Sequence, residues 1–291
     1  MKIALIVAHE VQEITGLQIE LQSRGHEVVI WSLTDLKPSD FTEGQLRHRL
    51  SEFDLVYYRS GLTAAGGAVL NDVLKEYPER LINPVTYRHP LCSNKLYQAI
   101  VALRAAVQIP PTYMGRNVPF LKLEEEFGLP FIVKAAEGIQ GNNVFLVNNE
   151  DTYRQCLKDM VGDIVIQKFI PNDGDYRVFM LGGEVYKVFK RVAQNNDFKN
   201  NMSLGAKGEA VNDPELLEQL GSMAATVVKA MDIEIGGVDI IKSATNGELY
   251  FLEVNINPGW RGLDATLGTD TAEAVADYLE RRISSSTTAS M

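Results

Sequence analysis

Cysteine and histidine are scarce in this sequence. The 291 residues include two cysteines, Cys92 and Cys156, and four histidines, and their spacing matches no zinc motif. So few cysteines exclude a disulfide framework, and a reducing cytoplasm is the expected compartment. No convincing Ser-His-Asp or Cys-His set is found, so catalysis through a protein nucleophile is not expected.

Long apolar runs and a positive net charge are also lacking. No stretch approaches the roughly 20 apolar residues that span a bilayer, and the apolar part of MKIALIVAHE is too short for a signal peptide. The formal net charge of -10 argues against a general surface for nucleic acid or anionic membrane. We therefore expect no nucleic acid and no membrane among the partners, and any anion must bind in a local pocket.

Residues 1–91 alternate short strands with helices. KIALIVA, EVVIW and DLVYYR read as buried strands, and Ile14, Leu17 and Leu21 mark a helix face that ends at Gly25. This alternation predicts a small parallel sheet wrapped by helices. The G-x-G-x-x-G of dinucleotide-binding folds is absent after the first strand, where AHEVQE stands, so a nicotinamide enzyme is disfavoured.

The rest of the sequence predicts an α+β unit built on antiparallel sheets. A helix from Ser93 to Val107 comes first, with an apolar face formed by Leu96, Ile100, Leu103 and Val107. Paired strands follow: PFIVKAA, NNVFLVNN, DIVIQKFI, DYRVFML and EVYKVFKR, the last two joined at Gly182-Gly183. Asp213 is expected to cap a helix from Pro214 to Met231. The low-complexity tail, 284–291, is expected to be disordered.

A lysine precedes a glycine-rich loop in VKAAEGIQGNNVFLV. A strand ends near Lys134, the loop contains Gly138, Gly141, Asn142 and Asn143, and a second strand follows. Small loop residues let backbone amides approach phosphate oxygens, and the lysine adds a positive charge. No G-K-[ST] opens a helix here, so the segment is not a P-loop. A plain hairpin with a surface lysine is the alternative.

The run DIVIQKFIPNDGDYRVF connects two groups of strands. A hydrophobic strand passes through Gln167 and Lys168 into Phe169 and Ile170, and Pro171 stops it. Backbone groups between two lobes, beside apolar side chains, commonly hold a flat heterocycle such as adenine. A simple connector between sheets is an equally good interpretation.

Two arginines lie on the strands that follow, which are predicted to pair. Arg177 and Arg191 would bind anionic oxygens if both pointed into one cleft. Ordinary solvated strand faces remain the alternative for both.

Oxygen-bearing side chains share a strand face near the end of the sequence. Glu253 and Asn255 alternate on FLEVN, and Asp239 lies on the preceding strand GGVDII. Oxygen ligands without cysteine or histidine point to magnesium or manganese shared with substrate phosphates. A solvent-facing edge strand is the alternative.

The turn between these two strands decides whether the metal site can form. A two-residue turn at Asn246-Gly247 places Asp239 opposite Val254, on the wrong face. A three-residue loop from Thr245 to Gly247, with a left-handed glycine, places Asp239 opposite Glu253. We predict the second register, because opposed carboxylates are unfavourable unless a cation lies between them.

In this order the motifs resemble the ATP-grasp superfamily and, within it, the RimK-type carboxylate-amine ligases. The resemblance covers the chain up to about Ile283 and rests on SNKLYQAIVALRAAVQIPPTY, PFIVKAAEGIQGNNV, IVIQKFI, GDYRVFMLGGEV, DFKNNMSLGA, GGVDII and FLEVNINPGW. It implies an ATP-grasp fold of α/β and α+β class, with an N-terminal parallel α/β domain at 1–91. The central lid subdomain would be 92–166 and the C-terminal subdomain 167–283.

The resemblance also implies roles for individual residues. ATP would be bound by Lys95, Lys134, Glu137, Gly138, Gly141, Gln167, Lys168, Phe169, Ile170 and Asp175. Two magnesium ions, with manganese as a substitute, would be ligated by Asp239, Glu253 and Asn255. The transferred phosphoryl group or the carboxylate substrate would face Arg177, Arg191 and Asn201.

Ligases that resemble this chain phosphorylate a carboxylate with ATP, and an amine then displaces phosphate to form an amide. Positioning and charge neutralisation carry this chemistry. The implied partners are ATP, a carboxylate and an amine acceptor, often glutamate joined to a protein tail, carrier protein or small amine. A homodimer or homotetramer is expected by the same resemblance.

The sequence departs from the family after Asn201. Ser203 and Leu204 stand where typical modifying enzymes have a histidine-arginine pair, which argues against a highly anionic substrate. A nucleotide-binding module that no longer ligates is the alternative from another class. Candidate specificity residues are Arg59, Ser60, Thr63, Trp260, Arg261 and the loop near Asn201.

Overall fold

The computed structural model describes residues 1–7, 12–32, 39, 43–59, 70, 72–89, 91–138, 144–194 and 205–288. Within these ranges the strands form one parallel and two antiparallel sheets, in the order that the sequence predicts. The fold class is therefore confirmed as mixed α/β and α+β. No helix in the described ranges is long and apolar enough to cross a membrane.

The N-terminal sheet is parallel, with strand order β2-β1-β3-β4. Its elements are β1 (Lys2–Val7), α1 (Gln12–Ser23), β2 (Glu27–Ser32), α2 (Glu43–Ser51), β3 (Leu55–Tyr58), β4 (Leu81–Ile82) and α3 (Val85–Arg88). Side chains of β1 alternate between faces, so Leu5 joins the core under α1 and Ile6 the core under α2. Burial on both faces explains why β1 is apolar from Ile3 to Val7.

The central sheet is antiparallel, with strand order β5-β8-β6-β7. After α4 (Lys95–Arg104), its elements are β5 (Thr112–Met114), α5 (Phe120–Phe127), β6 (Phe131–Ala135), β7 (Val144–Val147), α6 (Glu150–Asp159) and β8 (Ile164–Lys168). Phe131 and Tyr153 meet edge to face in its core. The predicted pairing of the strands β6 and β7 is confirmed.

The C-terminal sheet has five antiparallel strands in the order β11-β10-β9-β12-β13. Its elements are β9 (Asp175–Leu181), β10 (Glu184–Val192), β11 (Lys207–Ala210), α7 (Pro214–Met231), β12 (Ile235–Lys242), β13 (Leu249–Asn255), α8 (Arg261–Leu267) and α9 (Thr271–Thr288). Helix α7 begins where predicted, because Asp213 accepts from the amides of Glu215 and Leu216. The predicted pairing of the strands that carry Arg177 and Arg191 is also confirmed.

Helix α4 packs differently from its predicted apolar face. Ile100 and Leu103 are exposed, whereas Gln98, Ala99 and Ala102 are buried. The helix contacts β13 and α7, so it belongs to the core of the C-terminal sheet and not to the central unit, 92–166. Small alanines allow this close approach, which larger apolar residues would obstruct.

Two predicted boundaries also differ from the structure. The boundary at residue 166 falls inside β8, because Gln167 and Lys168 still pair with β6. The predicted disordered tail begins at residue 284, whereas α9 continues to Thr288.

Asn83 joins the N-terminal unit to the C-terminal sheet. Its buried side chain donates to the carbonyls of Ile235 (2.7 Å) and Ile256 (3.1 Å) and accepts from the amides of Glu234 and Ile235. Asn83 has a left-handed backbone (φ 58°), which asparagine tolerates better than most residues. One side chain therefore fixes the start of β12 and the end of β13.

Candidate active site

The predicted metal ligands meet on one face of the C-terminal sheet. Asp239 on β12 lies opposite both Arg177 on β9 and Glu253 on β13. Asn255 lies two residues after Glu253, on the same strand face, and its Nδ2 donates to Asp239 Oδ2 at 3.3 Å. The predicted pairing of Asp239 with Glu253 is confirmed.

The prediction that a three-residue loop sets this register is wrong. Residues 243–248 separate β12 from β13, so the connection is longer than three residues. A β-bulge at Leu252 shifts the register by one residue, and this shift brings Asp239 opposite Glu253. Gly247 does have the predicted left-handed conformation, with φ 75°.

Two arginines hold the buried acids of this site. Arg177 donates from Nε and Nη2 to the two oxygens of Asp239, the second at 3.0 Å. Arg191 donates to both oxygens of Asp175 at 2.7 and 2.6 Å, and its Nη2 lies 3.0 Å from Asp239 Oδ2. Asp239, Asp175 and Arg191 are 4%, 6% and 4% exposed. Such forked contacts are the strongest that arginine makes with carboxylates.

These contacts keep Asp239 ionised although it is buried. Burial alone would raise its pKa, but the charges of Arg177 and Arg191 lower the pKa of Asp239 below its ordinary value. Burial raises the pKa of Asp175 to about 6, against the attraction of Arg191 and with added repulsion from Asp239. Asp239 is therefore the carboxylate that stays charged across the whole neutral range.

Lys95 links this face to the glycine-rich loop. Asn94 caps α4 by accepting from the amides of Leu96 and Tyr97, which fixes Lys95 as the first helical residue. The Lys95 Nζ lies 3.3 Å from Glu253 Oε2 and donates to the Gly138 carbonyl at 2.9 Å. The lysine thus contacts a predicted metal ligand and the loop at once.

Lys134 is buried on β6 of the central sheet and is 7% exposed. Burial, only partly offset by the Glu253 and Asp239 carboxylates, lowers the pKa of Lys134 from 10.5 to about 8. Within the described part of the chain, no hydrogen bond or ion pair of its ammonium is found. The group is therefore a buried cation without a direct anionic partner there.

The glycine-rich loop is described only at its start. Gly138 has φ 126°, a conformation that favours glycine, and the Glu137 Oε1 lies 3.5 Å from Asn94 Nδ2. Gly141, Asn142, Asn143 and Asn201 lie outside the described residues, as do Ser60, Thr63, Ser203 and Leu204. Their predicted roles stay predictions.

The predicted adenine segment, Gln167 to Ile170, passes from the central sheet to the C-terminal sheet. Gln167 is buried and donates to Thr112 Oγ1 at 2.9 Å, while the Lys168 amide donates to the Pro111 carbonyl at 2.9 Å. Phe169 is half-buried, and Ile170 packs in a small apolar cluster with Ile241 and Tyr250. Apolar side chains therefore line the junction between the sheets.

Sequence reasoning missed Gln98, which lies one turn after Lys95. Its Nε2 donates to the Val254 carbonyl and its Oε1 accepts from the Val254 amide, both at 2.9 Å. Val254 is the residue between Glu253 and Asn255, so Gln98 fixes the strand at the predicted metal ligands. The available signal was a glutamine in the middle of the mainly apolar run LYQAIVAL, because a buried amide needs partners.

The predicted specificity residues occupy three environments. Trp260 is buried in the core, edge to face with Phe179. Arg59 is half-buried and lies over the Trp260 ring, with its guanidinium carbon 4.6 Å from the ring centroid. Arg261 is exposed at the start of α8.

Comparison with known proteins gives consistent matches. Residues 93–279 match the family described as RimK-like ATP-grasp domain. A Methanococcoides burtonii protein named probable alpha-L-glutamate ligase is 28% identical over 300 residues, covering 97% of this chain and 96% of that protein.

Solved structures of low sequence identity share the fold. ATP-grasp ligase PsnB, complexed with a phosphomimetic variant of minimal precursor, Mg and ADP, matches with a TM-score of 0.74, 16% identity and coverage of 97% and 98% of the two chains. D-alanine--D-alanine ligase from Bacillus anthracis matches with a TM-score of 0.71, 18% identity and coverage of 99% and 98%.

Proposed function

This chain belongs to the RimK-like ATP-grasp family and is an ATP-dependent carboxylate-amine ligase; on that premise, we propose that it joins an amino acid, with glutamate as the first candidate, to an amine through an acyl phosphate. The acceptor would be an amino acid, a peptide or protein tail, or a carrier protein.

The observation that carries the proposal is that charged side chains from the central sheet, the C-terminal sheet and α4 lie close together. Lys95 contacts Glu253, Lys134 lies near Glu253 and Asp239, and Arg177 holds Asp239. Cations and acids so arranged suit a nucleotide triphosphate with its metal, because phosphate oxygens need positive charge and a hard cation needs oxygen ligands. Grouping these charges is costly unless a ligand compensates them, which favours nucleotide binding.

The donor set fits magnesium. Asp239, Glu253 and Asn255 offer carboxylate and amide oxygens on one face of the C-terminal sheet, the ligand type that hard cations prefer. In the described ranges, no three acidic, histidine or cysteine side chains are grouped to hold a metal by themselves. Magnesium usually binds through one or two carboxylates plus phosphates and water, so the set suits an ion delivered with ATP. Such an ion would neutralise charge on the phosphate oxygens.

The residues of the chain have distinct roles in this proposal. Lys95 and Lys134 bind phosphate oxygens, and Arg177 stabilises charge on the transferred phosphoryl group. Arg191, which Asp175 holds in place, keeps Asp239 ionised and oriented. The acyl phosphate forms when the carboxylate oxygen attacks the terminal phosphorus and ADP leaves. The amine then attacks the acyl carbon, loses a proton, and releases phosphate.

The proposed test is ADP release with Mg-ATP and amino acids supplied in pairs. Wild-type protein is incubated with each pair, ADP is measured by a coupled assay, and products are identified by mass spectrometry. We expect ADP release that requires both amino acids, with a product mass equal to the sum of the two minus water. Omission of either amino acid is the control for uncoupled hydrolysis.

The outcomes separate the candidate functions. ADP release that needs glutamate and one further amine supports a small-molecule ligase and names its substrates. Release only when a peptide or carrier protein replaces the free amine assigns a macromolecular acceptor. Absence of ADP under all these conditions, with ATP binding intact by calorimetry, would contradict the proposal and favour the non-catalytic module.

A further inference from the structure

Arg59 lies at the carboxyl edge of the N-terminal parallel sheet. It follows β3 directly, and its amide donates to the Ile6 carbonyl at 2.7 Å, which extends the pairing of β1 with β3. In the order β2-β1-β3-β4, the chain leaves β1 towards β2 and leaves β3 towards β4. Such a point, where connections diverge from neighbouring parallel strands, forms the crevice in which open α/β sheets bind ligands.

The Arg59 guanidinium is held in a fixed position without a carboxylate. It lies over the rings of Trp260 and Tyr57, at 4.6 and 5.4 Å from their centroids. Nη2 donates to the Pro258 carbonyl at 2.8 Å, and Nη1 lies 3.2 Å from the Tyr57 hydroxyl. Among the residues that the structure describes, no aspartate or glutamate forms an ion pair with Arg59. Its remaining N–H donors are pre-oriented for an anion.

Arg59 is close to the ATP-directed residues through one loop. A Cβ built on Gly237 would lie 2.9 Å from Arg177 Cδ and 3.1 Å from Pro258 Cβ, so both side chains flank this glycine. Pro258 in turn accepts the Arg59 hydrogen bond. These contacts connect Arg177, which holds Asp239, with Arg59 at the carboxyl edge of the N-terminal sheet.

A single carboxylate suits this position better than a polyphosphate. The Glu13 carboxylate lies beside the same loop, 3.1 Å from where a Cβ on Gly259 would be. A neighbouring negative charge disfavours a highly charged anion, whereas one carboxylate can receive a forked contact from arginine.

We infer that Arg59 binds a free carboxylate of a ligase substrate, one that is not phosphorylated in the reaction. The inference rests on the proposed function and narrows it: one substrate is a dicarboxylic amino acid, or an amino acid or peptide that enters as the amine and keeps its terminal carboxylate. Aromatic rings on the guanidinium reduce the entropy lost when the anion binds, which favours recognition by arginine here.

The test measures KM for each substrate separately in Arg59→Gln and Arg59→Lys. L-Glutamate, L-glutamine and L-isoglutamine are the first probes, because the two amides each lack one carboxylate of glutamate. Arg59→Gln should raise KM for the substrate with the recognised carboxylate by roughly 10- to 100-fold and leave KM for ATP unchanged. It should have little effect on the amide that lacks this group. Arg59→Lys should give an intermediate KM, since lysine keeps the charge but not the fork.

Arg80→Gln is the matched control. Arg80 also lies over a tyrosine ring, at 5.5 Å from the Tyr77 centroid, and donates to the carbonyls of Ser51 and Phe53, but it precedes β4 at the opposite edge of the sheet. Substitution of Arg80 should leave the KM for the activated acid and the KM for the amine unchanged.

The KM values also identify which substrate carries the group. A rise in KM confined to the activated acid assigns the carboxylate to that substrate, and a rise confined to the amine assigns it to the acceptor; either supports the inference. Unchanged KM values in an active Arg59→Gln variant would overturn it and leave the ligase function standing. Equal changes in Arg59→Gln and Arg80→Gln would reduce Arg59 to a structural residue. Absence of ADP release by the wild-type protein would overturn the proposed function, and this inference with it.

Discussion

Replacing Lys134 with methionine should stabilise the protein at neutral pH while weakening its ATP binding. The lysine is buried on β6, and burial lowers its pKa from 10.5 to about 8. The folded state therefore binds this proton less tightly than the unfolded state does. Below pH 8 the ammonium is charged in both states, and the folded state carries the full cost of burying it.

The magnitude follows from the two pKa values. Each tenfold change in proton affinity corresponds to about 1.4 kcal/mol, so a pKa of about 8 against 10.5 gives up to about 3 kcal/mol. Methionine has a similar length and no charge, so Lys134→Met should raise the free energy of unfolding by up to that amount at pH 7. The advantage should shrink as pH rises through 8 to 10.5 and vanish above this range, where the wild-type lysine is neutral in both states.

The assay is thermal unfolding of wild type and variant between pH 7 and pH 10.5. The midpoint of Lys134→Met should lie about 5 °C above wild type at pH 7 and converge with it at the highest pH. Lys187→Met is the control, because Lys187 is exposed on β10 and its loss should change stability by less than about 0.5 kcal/mol.

Calorimetry of ATP binding gives the second measurement. A bound phosphate should restore the charged lysine, so at pH 9 wild type should take up a proton when ATP binds and Lys134→Met should not. Destabilisation of Lys134→Met by the same amount at every pH would refute the reasoning, since it would mean that the side chain contributes packing and not a buried charge.

Three further substitutions test the site and its support. Glu253→Gln should lower ADP release by roughly 10²- to 10³-fold with an unchanged unfolding midpoint. The control is Glu248→Gln in the preceding turn, which should keep activity. Near-normal ADP release by Glu253→Gln would contradict the assignment of Glu253 as a metal ligand. Gln98→Met should lower the free energy of unfolding by about 1–3 kcal/mol, because both backbone groups of Val254 lose their partner. It should also raise the Mg²⁺ concentration that gives half-maximal ADP release. Lost stability with an unchanged Mg²⁺ dependence would restrict Gln98 to a structural role. Asn83→Ala should lower the free energy of unfolding, measured by urea denaturation, by about 3 kcal/mol. Four hydrogen bonds are lost, and the backbone angle φ of 58° is unfavourable for alanine. A loss below about 1 kcal/mol would contradict the role of Asn83 in joining the N-terminal unit to the C-terminal sheet.

Local signals in the sequence were sufficient to predict the individual elements. Helix α7 begins at Pro214 behind the Asp213 cap, and the Gly182-Gly183 turn joins β9 to β10, because capping and turn formation depend on residues that are neighbours in sequence. The alternation of strands and helices likewise predicted a parallel sheet followed by antiparallel sheets.

Contacts between distant elements could not be predicted in the same way. The predicted buried face of α4 was wrong, because α4 packs close to β13 and this favours the small residues Ala99 and Ala102 over larger apolar residues. The Leu252 bulge leaves no sign in the hydrophobic pattern, so the correct register was predicted from an incorrect loop. The forks that arginines form with Asp175 and Asp239 depend on alignment across several strands, which side-chain periodicity alone does not determine.

The bond between Gln98 and Val254 has a consequence for synthesis of the protein. The two residues are 156 positions apart, so the glutamine leaves the ribosome long before the strand that satisfies it. At roughly 5–20 residues per second, this interval lasts on the order of 10 to 30 seconds. During that time the Gln98 side chain has one of its native partners, the Cys92 carbonyl at 2.9 Å, and lacks both backbone groups of Val254. The candidate active site is thus completed late in translation, after the N-terminal and central sheets have been made.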